Sequence, residues 1–546
     1  MTGRHMLDVA TKFFAAAFAA SCTASGAEIV YRRAAERVVS MDPIRAGSVP
    51  DARAVQLVYE PLLDIDYYAR PYRLVPGLCE LPEVSPDRLV YTFRLREGSR
   101  FTDDPCFPGG KGRAVTAHDV KYSLDRLADK ANASSGMWLM DGVASVQAVD
   151  DRTVSIRLKQ PLHVFPWLMA MAYTGPVPRE AVEMYSTRFG GRAVGSGPYR
   201  LAEWWRGHRM VFERNKAWPG WNRPRSPEAP AGLPFDRLEY MNIEDVSTQW
   251  LMFLAGEIDF LGEISKDNWD AVVGPDGHIS GDLESRGVTL HSVAVMQIFY
   301  VGMNMKDPVV GPNKKLRQAL NCAFDFPAWQ RFLNNRVMPA DGPVPPGVEG
   351  RATTPFAYSF DLEKARRLLA EAGYPGGTDP ATGKRLVITL SIGRASQSAH
   401  EQAELLASFY DRVGINLKEN CMTWDAFLKA VNEGRTQTFL MGWVGDYPDA
   451  ENYMQLFHSK NVSPGANHGN YRNPEYDKIY DAAMAAPTAE ERNALWVKAQ
   501  EIIREDCPWL FLHYPKGYSL VRDRILGYKP TDFGYGAEKN FRVAAP

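Results

Sequence analysis

The chain reads as an α/β protein, on two local patterns and one junction between them. Residues 89–96, Leu-Val-Tyr-Thr-Phe-Arg-Leu-Arg, alternate apolar and polar side chains with the period of a half-buried strand. Residues 115–127 set Val120, Leu124 and Leu127 at helical spacing behind Thr116 and Asp119, the two members of a capping box. Residues 439–453 join both kinds of element. An apolar run from Phe439 to Val444 stops at Gly445, Asp446 and Asp449 come next on a turn containing Pro448, and a helical pattern resumes.

That junction is a strand end delivering carboxylates into a space. Asp446 stands where the apolar run ends, so its carboxylate is expected to be partly desolvated and placed to meet a cation arriving from outside. Read in isolation, Asp446 and Asp449 are equally ordinary turn and helix-cap residues.

A length of 546 residues allows roughly three to four domains of ordinary size. With 45% apolar and 11% aromatic residues the chain has the material for well-packed cores. Lys+Arg 63 against Asp+Glu 65 leaves a net charge of -2, and no basic cluster interrupts the balance, so a nucleic-acid partner is not expected. The 13 Trp, 24 Tyr and 25 Phe supply core and also the usual lining of concave ligand sites.

Residues 1–27 have the form of an export signal: Arg4 and Lys12 supply charge, residues 13–20 are a short apolar core, and small residues continue to Ala27. Two processing sites compete. Ser25-x-Ala27 suits an ordinary signal peptidase, whereas Ala19-Ala20-Ser21-Cys22 is close to a lipobox that would leave the mature chain lipid-anchored at Cys22. The apolar core is too short to span a bilayer, and no later run is long enough. Of the six cysteines, removing Cys22 leaves an odd number, so at least one thiol stays free. An oxidising compartment would permit a bridge between Cys79 and Cys106; Cys322, Cys421 and Cys507 read as buried small hydrophobes.

In chain order, residues 29–31 begin a first strand, broken at Ser40-Met41-Asp42-Pro43. Residues 55–63 are expected to form a helix ending at Pro61. Residues 102–112 are a loop without the spacing of a phosphate-binding loop, and residues 146–158 form two strands joined at Asp150-Asp151. His118 reads as a surface residue of the capping-box helix. No enzyme is expected. His400-Glu401-Gln402-Ala403-Glu404 lacks the second histidine of a zinc-protease helix, and no GxSxG elbow occurs. His458 and His468 flank a Gly- and Asn-containing loop, read as loop surface, and carry no metal-ligand spacing. No cofactor is expected.

Gly195-Ser196-Gly197-Pro198-Tyr199-Arg200-Leu201 resembles the "GTGPY-x-L" signature of the bacterial extracellular solute-binding proteins of family 5, the peptide- and nickel-type receptors of ABC importers. Residues 117–126 resemble that family's "A-x-DV-x-[YF]-S-L-x-R". Asn304, Leu316-Arg317-Gln318-Ala319-Leu320 and Ala323-Phe324-Asp325 are similar to its "N…vRQAl…aiD", Glu371-Ala372-Gly373-Tyr374-Pro375 to "eAGYp", and Tyr471-Arg472-Asn473-Pro474-Glu475-Tyr476-Asp477 to "y-x-NPeYD". The motifs run in consistent order from about Ile29 to Val543.

The resemblance implies a two-lobed, periplasmic-binding-protein-like class II fold with an extra inserted subdomain and a ligand cleft between the lobes. Lobe I would comprise residues 28–60, 190–290 and 513–546, the insert residues 61–189, and lobe II residues 291–512. Hinges would lie near residues 291–293 and 512–514. It further implies an extracytoplasmic or periplasmic receptor, monomeric, that captures di- or oligopeptides and delivers them to the permease subunits of an ABC importer. In peptide-binding members the strand end matching residues 442–446 supplies an aspartate to the ligand's α-ammonium, and Asp446 matches that position beside Gly445 and Trp443. Arg394 lies near the place of an arginine that holds the ligand carboxylate in dipeptide-binding members, although the family's following Pro is absent. Trp443 and Trp424 are candidate pocket walls. The same scaffold also carries nickel chelates, opines and oligosaccharides, and a peptide-handling chaperone or hydrolase is the alternative of a different class.

Overall fold

The computed structural model describes residues 28–265, 268–274, 278–394 and 396–545. The export segment with Cys22, and Ala395 beside Arg394, lie outside the described residues. No helix among those described is long and apolar enough to cross a membrane.

Two groups of strands are joined by a single long one. Val30–Ala35 pairs in parallel with Arg237–Asn242, and the sheet continues antiparallel through Arg209–Arg214 to Tyr199–Trp205. In the other lobe Gln297–Met303 pairs with Thr438–Val444, which pairs in parallel with Val387–Ile392, with Asn416–Cys421 at the edge. The 14-residue strand Trp509–Arg522 belongs to both lobes. Its first residues pair with Gln297–Met303, and its last with Val288–Ala294 and Phe260–Leu261. Bending this shared strand and its partner is therefore the direct way to move one lobe against the other.

Each lobe buries its sheet on both faces. In lobe II, Phe439, Met441, Trp496 and Trp509 pack on one side, while Leu390, Leu406, Phe409 and Leu510 pack on the other. Lobe I shares a continuous core with the insert, since Tyr31, Leu57 and Tyr199 cluster with Tyr91, Phe93 and Phe165. The insert has its own four-stranded antiparallel sheet, including Val90–Arg94, Val143–Ala148 and Thr153–Leu158. Its helix Ala117–Ala128 carries the capping box, with the Asp119 carboxylate accepting the Thr116 N–H at 2.8 Å. The insert also reaches lobe II: Arg88 Nη1 and His163 Nε2 both stand 2.9 Å from the Ala486 carbonyl.

The family-like motifs mostly hold backbone in place. A Cβ on Gly195 would stand 2.0 Å from the Val58 carbonyl, so only glycine lets this loop close on the end of the first long helix. The buried Arg317 donates to the carbonyls of Asp506, Val310 and Gly311, and Asn321 donates to that of Trp509. Asn473 caps the helix Pro474–Ala485.

Several expectations require correction. The helix expected over residues 55–63 is Val49–Val58. Ser48 caps it, accepting the Asp51 N–H at 3.3 Å, and Pro50 sits in the first turn, where its missing donor costs nothing. The chain leaves the helix at Tyr59, before the residue that Pro61 disfavours in helical conformation, and Leu63 opens the short strand Leu63–Ile65. Cys79 and Cys106 are free thiols: Cys79 is buried in a bridge to Leu95, and Cys106 is held in the turn whose N–H meets Asp104 Oδ1 at 2.9 Å. His458 and His468 are not loop surface. His458 is 3% exposed and accepts the Lys460 N–H at 3.1 Å, and burial holds the His468 imidazole below its ordinary pKa.

Candidate functional site

The strand Thr438–Val444 is paired on both edges, so its direction is fixed before it reaches the site. Phe439 and Met441 enter the core, Leu440 and Trp443 are half-buried, and Val444 emerges. Gly445 then donates its N–H to the Met296 carbonyl at 2.8 Å. The same carbonyl accepts the Tyr453 hydroxyl at 2.8 Å, and a Cβ on Gly445 would stand 2.2 Å from that hydroxyl. Glycine here is a requirement of close approach, and it turns the chain so that residue 446 faces away from the core.

Asn452, 1% exposed on the short helix Glu451–Met454, organises the end of the strand. Its Oδ1 accepts Trp443 Nε1 at 2.9 Å and the Asp446 N–H at 3.2 Å, and its Nδ2 donates to Asp446 Oδ2 at 3.3 Å. The indole and the carboxylate are thus set by one buried amide. Asp446 has no ion-pair partner among the described residues. Its side chain is open to solvent, yet desolvation raises its pKa above the ordinary 3.8, opposed by the Asn452 hydrogen bond. Solvent contact and desolvation coexist in the wall of a cleft, where protein surrounds a group without covering it.

The neighbouring acids are committed elsewhere. Asp449 is buried, pairs with Arg492 at 2.6 Å and caps the Glu451 N–H at 2.9 Å, which makes it the turn residue of the isolated reading. Glu451 is buried and accepts the hydroxyls of Tyr447 and Tyr480. The charge of Asp446 also reaches Tyr173 and Tyr535, where it adds to the effect of burial in raising their pKa values. Tyr447, next to Asp446, already packs with the lobe I core.

Arg394, just past the strand Val387–Ile392, and Trp424, the first residue of the helix Trp424–Asn432, meet beside the strand Thr438–Val444. They line a recess of about 290 Å³ together with Gln297, Phe299, Met441 and Gly442. Arg394 is exposed and makes no hydrogen bond or ion pair among the described residues. Trp424 is 53% exposed and stacks on Phe427 with ring centroids 5.5 Å apart. The sequence-expected residues therefore fall into two groups, Asp446 with Trp443 and Gly445, and Arg394 with Trp424.

Outside the cleft, His400, Glu419 and Cys421 bring N, O and S atoms within 4.8 Å of one another. His400 Nδ1 lies 2.8 Å from Glu419 Oε1, the length of a direct hydrogen bond. Sequence spacing does not reveal this group, because the histidine comes from a helix and the other two from the edge strand beside it.

Residues 73–464 match the family model described as "Bacterial extracellular solute-binding proteins, family 5 Middle". The chain is 29% identical over 525 residues to the Glutathione-binding protein GsiB of Escherichia coli O1:K1 / APEC, covering 94% of each chain. It is 27% identical over 514 residues to Heme-binding protein A of Haemophilus influenzae, covering 88% of this chain and 86% of that one. Among solved structures, HbpA2 from Haemophilus parasuis superposes with a TM-score of 0.82 at 24% identity, over 95% of this chain and 100% of that chain.

Proposed function

The chain belongs to the bacterial extracellular solute-binding proteins of family 5, the substrate receptors of ABC importers, and on that premise we propose that its cleft captures a short peptide whose free amino terminus pairs with Asp446. The observation that carries the reading is the state of that carboxylate. It is oriented by a buried amide, raised in pKa by its surroundings, and without any cationic partner among the described residues. A ligand ammonium supplies the missing charge through a charge-assisted hydrogen bond and excludes ligands that lack the cation.

The recess at Arg394 and Trp424 would take the far end of the ligand, Arg394 meeting a carboxylate and Trp424 forming an apolar wall. The GsiB relative is named for glutathione, a tripeptide with a free amine, and that makes glutathione the first ligand to try. Ligand contacts on both lobes stabilise the closed form, and bending of the shared strand Trp509–Arg522, near residues 512–514, with its partner near residues 291–293, supplies the hinge. The receptor works in the periplasm as a monomer and hands its ligand to the permease.

Calorimetric titration of protein freed of resident ligand by denaturation and refolding tests this, using glutathione and alanine peptides of two to five residues. The reading predicts binding of at least one free-amine peptide and no cleavage of it. Failure of the whole panel overturns it and directs attention to chelates, opines and sugars.

A further inference from the structure

Three donor atoms of different chemistry converge where the helix Gln397–Asp411 lies against the edge strand Asn416–Cys421. Glu419 and Cys421, two residues apart, share one face of that strand. His400 reaches them from the first turn of the helix. A single ring nitrogen, His400 Nδ1, stands 2.8 Å from Glu419 Oε1 and 3.8 Å from Cys421 Sγ, and the three donor atoms all lie within 4.8 Å of one another. Glu419 pairs with no Lys or Arg among the described residues. The His400 and Glu419 side chains keep 42% and 39% of their surface open, and Cys421 is half-buried, so an ion can enter from solvent.

A tetrahedral cation bonded to nitrogen, oxygen and sulfur at about 2.0 to 2.3 Å sets those atoms about 3.3 to 3.6 Å apart. The separations of 2.8 and 3.8 Å lie on either side of that range, so adjustments of about half an ångström bring the atoms to bonding positions. An imidazole and a thiolate beside one carboxylate suit zinc-like ions, whereas Ca²⁺ and Mg²⁺ take sets of oxygen ligands. We propose that His400, Glu419 and Cys421 bind one divalent cation of the zinc type, through Nδ1, a carboxylate oxygen and the thiolate. The thiol proton leaves to solvent, and three protein ligands leave a fourth position for water. The same helix lends Ser398, Ala399 and Gln402 to the recess lined by Arg394, and Trp424, on its other wall, follows Cys421 by three residues. The ion therefore ties together two segments that wall the recess. The inference is independent of any role for Asp446.

The test titrates the full chain, reduced and stripped of metal with a chelator, with Co²⁺ and then Zn²⁺. One equivalent of Co²⁺ should produce the near-ultraviolet charge-transfer band of a cobalt thiolate, and Zn²⁺ should abolish the band by displacement, while Ca²⁺ and Mg²⁺ should not. Cys421→Ser should lose the band. Cys106→Ser, which removes the other half-buried thiol, should keep it. His400→Gln and Glu419→Gln should each weaken Zn²⁺ binding by about 100-fold or more, the upper end of the cost of losing a supporting outer contact. Zn²⁺ should raise the melting temperature of wild type and leave that of Glu419→Gln unchanged, with the metal-free proteins melting alike. Absence of the band in wild type, its survival in Cys421→Ser, or undiminished Zn²⁺ affinity in both His400→Gln and Glu419→Gln overturns the site.

Discussion

Asn452 holds Asp446 from two sides, accepting its backbone N–H at 3.2 Å and donating to its carboxylate at 3.3 Å. A third contact, from the Trp443 indole at 2.9 Å, makes this one amide the common support of the strand end. The orientation of the carboxylate is thus a property of the folded lobe and does not wait for ligand.

Replacing Asn452 by Leu removes that support without touching the carboxylate. The indole N–H and the Asp446 N–H lose their acceptor, at a cost of about 1–3 kcal/mol of stability for buried donors left unpaired. Affinity for free-amine peptides should fall while preference over acetylated ones persists. Chemical denaturation and calorimetric titration of Asn452→Leu check both parts.

The raised pKa of Asp446 fixes the sign of two pH effects. Its folded value lies above the unfolded one, so burial of the charged form opposes folding at neutral pH, and that penalty vanishes as pH falls below the unfolded value near 3.8. Asp446→Asn should therefore raise the melting temperature of the ligand-free protein at pH 7 and lose that advantage in acid. Ligand affinity runs the other way. It should fall as pH drops through the raised pKa, and fall again above about 8 as the peptide ammonium deprotonates. Affinity measured across acid, neutral and alkaline pH tests the bell.

Gly445→Ala forces a methyl carbon to 2.2 Å from the Tyr453 hydroxyl. Overpacking of this kind should cost about 1–3 kcal/mol and displace residue 446. Removing the hydroxyl with Tyr453→Phe should recover part of the stability in the double variant, which thermal melts of the two single variants and the double one would show.

Arg317→Ala should behave oppositely to a site mutation. It strips three carbonyls of their donor inside lobe II, so about 3 kcal/mol or more of stability should be lost, with the acid and amine selectivity of the remaining folded protein unchanged. Denaturation midpoints compared with peptide selectivity separate the two roles.

The features legible in the sequence are those that local spacing determines. The capping box at Thr116 and Asp119 rests on contacts within a few residues, while the strand at residues 89–96 and the strand end at Gly445 are announced by apolar periodicity and by a glycine, although their partners, among them Ile156 and Met296, lie far off in sequence. The motifs that place the chain in its family hold carbonyls and helix ends, which is why they are recognisable in order around a cleft whose chemistry they do not specify. Asn452 is not legible, because a single Asn six residues past Asp446 has no pattern until the helix Glu451–Met454 folds it back. The helix Val49–Val58 shows a different limit, since the cap at Ser48 with Pro50 announces its start while the apolar run expected as its body continues past its end. The thiols of Cys79 and Cys106 show the limit of proximity in sequence, since a bridge needs facing Cβ atoms and each cysteine is held by its own backbone pairing.

The most direct measurement is a thermal-shift titration of refolded wild type and Asp446→Asn with matched peptides, glutathione included, carrying free or N-acetylated amino termini. At about 100 times its dissociation constant a ligand adds about 2.7 kcal/mol of stability, which a melting curve resolves. Stabilisation of wild type by the free-amine forms alone, and of Asp446→Asn by neither, is the predicted result. Equal stabilisation by free and acetylated peptides, or an undiminished response in Asp446→Asn, would contradict the assignment of Asp446 to the ligand ammonium.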